Sequence, residues 1–165
     1  IASEKLARVK AAIIDDPANI QAILDDASET PPEARILANR ENIDRLFAGR
    51  TLEEILAALE ADDSEWAAKE LKTLRSKSPQ SCKVALRQLA DSLTLGSFAD
   101  EMRMEYRIGS RVLVSHDFAE GVRAVIVDKT GDPQWNPATP QGVTDERIEA
   151  IFAALPEGEE WTPLT

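Results

Sequence analysis

Ahead of nearly every apolar stripe in this chain stands a residue able to cap a helix. Thr51-Leu-Glu-Glu54 has the form of a capping box and opens onto Ile55, Leu56 and Leu59. Ser78-Pro79 precedes a stripe of Cys82, Ala85, Leu86, Leu89 and Leu93. Asp16-Pro17 stands before Ile20, Ile23, Leu24 and Ala27, and Asp117 with Glu120 before Val122, Val125 and Ile126. Side chains recurring at three and four residues share one face of a helix, whereas a half-buried strand needs alternation. The pattern predicts an all-α fold of about six to nine amphipathic helices, with residues 1–165 forming one helical domain.

The remaining segments fit the same scheme. Leu6, Val9, Ile13 and Ile14 form a first stripe, and Pro31-Pro32 breaks the chain. Leu37, Ile43, Leu46 and Phe47 follow at irregular helical spacing, with Gly49 as a C-terminal cap. Asp62-Asp63-Ser64 reads as a turn before Trp66, Ala67, Leu71 and Leu74. Phe98, Met102, Tyr106, Gly109 and Leu113 trace one face of a long helix. The run Val122 to Lys129 could be a strand, but its alanine and the cap ahead of it favour helix. Residues 130–143 hold three prolines and two glycines, so they form a loop before a last helix carrying Ile148, Ile151, Phe152 and Leu155.

Charge narrows the partners. A formal charge of −11 argues against nucleic acid, which is bound through Lys and Arg on phosphate. No apolar run approaches the roughly 20 residues of a membrane span. A single cysteine, Cys82, allows no internal disulfide and fits a reducing cytoplasm. One strip departs from the acidic balance: Lys69, Lys72, Arg75, Lys77, Lys83 and Arg87 face only Glu70 between them. It reads as a solvated helix face, or as a surface for a phosphorylated ligand or an acidic neighbouring domain.

Few residues invite chemistry. His116 is the only histidine, and as a neighbour of a capping Asp117 it reads as a first-turn residue. Cys82 lies on an apolar stripe, where a thiol behaves as a small hydrophobe. The doublets Asp15-Asp16, Asp25-Asp26 and Asp62-Asp63 lack the alternating spacing and glycine of a calcium loop, and read as helix-boundary residues. No catalytic residue and no metal site are expected. Arg103, Arg107 and Arg111 share a helix face; carboxylate pairing is the ordinary use of such arginines, and phosphate contact the sharper one. Gly121 inside a helix costs about 1 kcal/mol relative to alanine, which suggests close packing against it.

Several motifs recur together in one family. MEYR at Met104 to Arg107, HDF-x-EGVRA at His116 to Ala124, the Asp128-Lys129 pair and P-x-W-x-P at Pro133 to Pro137 resemble the C-terminal segment of 3-hydroxyisobutyryl-CoA hydrolases. SPQSCKVALRQL from Ser78 and SEKL from Ser3 are similar to the same family in the same order. That family is a branch of the crotonase, or enoyl-CoA hydratase/isomerase, superfamily.

The resemblance implies a C-terminal helical part of a crotonase-like protein without its β/α core, and a start at Ile1 with no methionine agrees with an excised segment. It implies a parent that hydrolyses a short acyl-CoA in valine breakdown, using two backbone amides as an oxyanion hole beside catalytic carboxylates. Those groups belong to the family's N-terminal core and none transfers to this sequence. Coenzyme A arrives as part of the substrate rather than as a cofactor, and Lys129 and Trp135 are the positions onto which contact with it would carry over.

Expected partners are the N-terminal core of the same protein, acyl-CoA and a second copy in a homo-oligomer. An enoyl-CoA hydratase or isomerase is the nearest alternative, and a stand-alone helical interaction module the alternative from another class. A segment that normally covers a core should expose an apolar patch, with Phe98, Met102, Tyr106, Phe118 and Val122 near it.

Overall fold

The computed structural model describes residues 1–163. Ten α-helices follow one another, and no strand occurs among the described residues. They are α1 (Leu6–Asp15), α2 (Ile20–Ala27), α3 (Arg35–Ala38), α4 (Arg40–Leu46) and α5 (Leu52–Glu60). After these come α6 (Glu65–Arg75), α7 (Pro79–Ser92), α8 (Phe98–Val112), α9 (His116–Val122) and α10 (Asp145–Phe152). The expected all-α class is what forms. Asn39 interrupts the irregular stretch around Leu37, so two short helices stand where the spacing suggested one. No helix among the described residues is long and apolar enough to cross a membrane.

The chain packs as two units, Ile1–Asp44 and Arg45–Thr165, where the sequence suggested one domain. In the first unit α1 packs on α2, Val9 and Ala27 are buried, and Lys5 pairs with Glu29. Its apolar stripe is only partly covered, since Leu6 and Ile14 remain exposed.

The second unit holds two apolar clusters. Leu46, Ile55, Leu59 and Ala67 are buried between α5 and α6, with Phe47 meeting Trp66 edge to face at 6.3 Å. Val84, Met104, Ile108, Val143, Ile148 and Ile151 join α7, α8 and α10. Burying such side chains stabilises by about 1.5–3 kcal/mol each, which is what holds these short helices together.

Local caps are mostly where the sequence puts them. Thr51 and Glu54 close a reciprocal box, and Ser78 accepts from the Ser81 amide with Pro79 in the first turn. Ser64 and Thr144 cap α6 and α10 in the same way.

The acidic doublets stand at helix boundaries, as their placement in the sequence suggested, but they do not cap helix starts. Asp15, Asp25 and Asp26 lie at the C-terminal ends of α1 and α2, the pole that disfavours carboxylates. Asp16 receives the Asn19 side chain instead of capping Pro17–Asn19, and that segment is one turn of 3₁₀ helix. Asp62 accepts from Ser64 and pairs with Arg45 at 2.7 Å. The Ser64 hydroxyl, and after it Arg45, holds the Asp62 carboxyl at about 2.

α8 buries a different face from the one its spacing suggested. Met104 and Ile108 enter the core, while Phe98 is 78% and Tyr106 45% exposed. The helix carries apolar residues on two faces, and among the described residues only one is packed into the core. Phe118 is also exposed, whereas Met102 and Val122 are half-buried. Beyond α9 the chain continues as a turn of π-helix, Arg123–Val127, closed by the Asp128 amide on the Arg123 carbonyl. The helical reading of this run therefore stands, yet Val125, Ile126 and Val127 all point largely into solvent.

Candidate functional site

The loop at 130–143 is tied down along its length by groups from three helices. Ser115, rather than Asp117, caps α9, accepting from the Phe118 amide. Asp117 is thereby freed for long-range contacts, and it is 4% exposed. Its Oδ2 accepts from the Ser78 hydroxyl at 2.5 Å, and its Oδ1 accepts from the Asn136 amide at 2.8 Å. His116 Nδ1 lies 3.1 Å from the same Oδ1. Buried carboxylates persist where donors converge, and here the cap of α7 and the loop each supply one.

A second set of ties flanks the first. The Trp135 indole lies over Gly121, where a Cβ would sit 3.4 Å from its ring, and its Nε1 donates to the Ser76 carbonyl at 3.1 Å. The packing that Gly121 suggested is thus against this indole. Gln80, also buried, accepts from the Arg147 guanidinium, which reaches the Asn136 carbonyl at 3.3 Å. The Gln134 amide donates to Glu120 Oε1 at 2.6 Å, and Arg123 grips both oxygens of that carboxylate. Lys129 stands at the entrance to the loop with φ of 55°, exposed and in the left-handed region that favours glycine. Of the two positions proposed for coenzyme A contact, Trp135 is half-buried with its donor engaged, and Lys129 faces solvent.

Glu120 makes this anchoring sensitive to acid. Arg123, and after it the Gln134 amide, holds its carboxyl at about 2. A carboxyl depressed in the folded state adds stability that is complete above its unfolded value near 4.5. That contribution is lost as pH falls from there towards 2. Melting temperatures between pH 5 and pH 3 should therefore fall less steeply in Glu120→Gln than in the unaltered protein. Equal slopes would show that Glu120 does not anchor the loop.

Nothing in this cluster is arranged to react. A nucleophilic triad needs histidine between hydroxyl and acid, whereas Ser78 binds Asp117 directly and its oxygen also caps α7. Cys82 is half-buried, and burial pushes its thiol up, away from the thiolate that a nucleophile needs.

The basic strip is half neutralised within the chain. Arg75 pairs with Glu60, Lys83 with Glu53, and Arg87 with Asp91 and Glu149. The three arginines of α8 are also engaged. Arg103 binds Asp100, Arg107 binds Glu160 at 2.8 Å, and Arg111 donates to main-chain carbonyls beyond α10. Between α7, α8 and α10 runs an open groove of about 1100 Å³, with Arg87, Arg103 and Arg107 facing Asp145, Glu146 and Glu149.

Comparison with known proteins places this architecture. The sequence profile of the enoyl-CoA hydratase/isomerase family matches residues 1–152. The mitochondrial 3-hydroxyisobutyryl-CoA hydrolase of Xenopus laevis is 35% identical over 94% of this chain and 42% of its own length. The human protein of that name is 38% identical over 70% of this chain and 30% of its own length. Among solved structures, a carnitinyl-CoA dehydratase from Mycobacterium thermoresistibile superposes with a TM-score of 0.83 at 32% identity. The match covers 93% of this chain and 44% of that one. An enoyl-CoA hydratase from Rhodobacter sphaeroides gives 0.73 at 36% identity over 90% of this chain and 45% of its own. The chain thus spans about two fifths, or less, of the curated relatives it matches.

Proposed function

Because the chain belongs to the enoyl-CoA hydratase/isomerase family, we propose that it is the helical part of an acyl-CoA thioester hydrolase acting on 3-hydroxyisobutyryl-CoA, and so on an intermediate of valine breakdown. The observation that carries this reading is the likeness to 3-hydroxyisobutyryl-CoA hydrolases along nearly the whole chain, at 35% identity over 94% of it. In this reading the reacting groups lie outside residues 1–165. The helices pack on the catalytic core and help to close the acyl-CoA site. Lys129 is the better placed of the two contacts to coenzyme A, since its ammonium is exposed and Trp135 is held by Ser76 and Gly121.

A second reading keeps the superfamily and changes the reaction. Two of the solved structures that match are named as a dehydratase and a hydratase, so hydration of an enoyl-CoA is the alternative. The two are separated by assaying the whole protein on 3-hydroxyisobutyryl-CoA, following free thiol, and on crotonyl-CoA, following loss of the conjugated double bond. Thiol release without hydration is the expected result. Hydration without thiol release would replace the hydrolase with the alternative.

A further inference from the structure

We propose that residues 153–160 form a strap, clamped on α8 by Arg107 and Arg111, that holds the end of α10 against the core and fixes one wall of the groove. α10 ends without the glycine that usually terminates a helix, and Ala153 leaves in an extended conformation. The carbonyls that such an end leaves open are taken up from another helix. Arg111 Nη1 donates to Ile151 O at 3.1 Å and to Ala153 O at 2.7 Å, and its Nη2 to Ala154 O at 3.0 Å. The chain then turns back through Gly158, whose φ of 84° suits glycine, with the Glu159 amide on the Pro156 carbonyl.

The turn brings Glu160 onto both the start of the strap and α8. Its Oε1 accepts from the Leu155 amide and from Arg107 Nε, each at 2.8 Å. The Leu155 amide keeps the Glu160 carboxyl below the usual carboxylate range, against the opposing effect of burial, and Arg107 adds to it. Oε2 is buried and has no hydrogen-bond partner among the described residues. Opening the strap would return that oxygen to water, so Glu160 adds only modestly to the hold that Arg111 supplies.

What the strap fixes is specific. Ile148 and Ile151 of α10 belong to the core, and Phe152 packs against it beneath Arg87, 5.3 Å from ring centre to guanidinium. Phe152, Ala153 and Arg107 all line the groove, so one clamp sets both the helix end and the groove wall. This also gives Arg107, within MEYR, a positioning role rather than a phosphate contact.

Amide exchange of the whole protein, read on peptides spanning 148–155, tests the clamp. Arg107→Ala and Glu160→Ala should each raise exchange there about three- to tenfold, the range for a half-exposed charged hydrogen bond. The double variant should exchange no faster than Glu160→Ala alone, because Glu160 carries the ties to both Arg107 and Leu155. If Arg107→Ala fails to fold, Glu160→Gln keeps a neutral acceptor for Leu155 and should give a smaller rise. Unchanged exchange in the Glu160 variants, or effects that multiply in the double variant, would overturn the proposal.

Discussion

Residues 1–165 alone will release thiol from 3-hydroxyisobutyryl-CoA no faster than buffer does. In the proposed enzyme the oxyanion donors and catalytic carboxylates lie elsewhere in the protein. Losing acid–base help and an oxyanion donor together removes about 10⁴–10⁷ in rate, or roughly 5–10 kcal/mol of barrier lowering. The groups present offer no replacement. His116 is bound to Asp117, Ser78 is buried and capping a helix, and the Cys82 thiol is raised by burial. The assay compares the purified segment with the whole protein, with His116→Ala and Cys82→Ala as controls. Turnover that vanishes in either substitution would place a catalytic group inside this segment.

Asp117→Ala should produce the largest loss of stability available to a single polar substitution here, about 2–5 kcal/mol. Two donors lose their acceptor at once: the buried Ser78 hydroxyl and the Asn136 amide. Each bond to a charged group is worth about 1.5–3 kcal/mol, with partial recovery where water reaches the Asn136 amide. Asp117→Asn retains one acceptor but turns its own N–H groups toward a donor, so an intermediate loss of about 1–2 kcal/mol is expected. Urea unfolding gives the energies, and amide exchange at 133–137 shows whether the loop is released. A loss in Asp117→Ala below about 0.5 kcal/mol, the scale of an ordinary surface change, would mean that the loop is held by Trp135 and Glu120 without it.

The contrast between Thr51 and Asp117 shows what the sequence could and could not reveal. Thr51 and Glu54 lie within one turn, so their box follows from spacing alone, as does the Ser78-Pro79 start. Around α9 the spacing of Asp117 and Glu120 suggested a cap, yet Ser115 caps the helix and Asp117 turns to distant partners. The choice is made by Ser78, which is 39 residues away, and by Asn136 beyond the π-turn. No local signal pointed to Asp117, Gln80 or Arg147 as anchors of the loop. The same limit applies to α8, where two apolar faces are both consistent with a helix and only α7 and α10 decide which is buried. Gly121 and Trp135 were each marked by local oddity, a glycine in a helix and a tryptophan between prolines, but only the fold joins them.

The run Val125–Val127 carries a consequence for handling the protein. Three adjacent apolar β-branched side chains in solvent are the kind of segment that seeds intermolecular pairing when it is left bare. What opposes it is repulsion between copies that each carry a formal charge of −11 at pH 7. Salt shortens the reach of that repulsion to about 8 Å at 0.15 M, and acid near the isoelectric point of about 4.6 abolishes it. Colloidal stability of the isolated segment therefore rests on its carboxylates, and the solution most benign to it is dilute in salt and well above that pH.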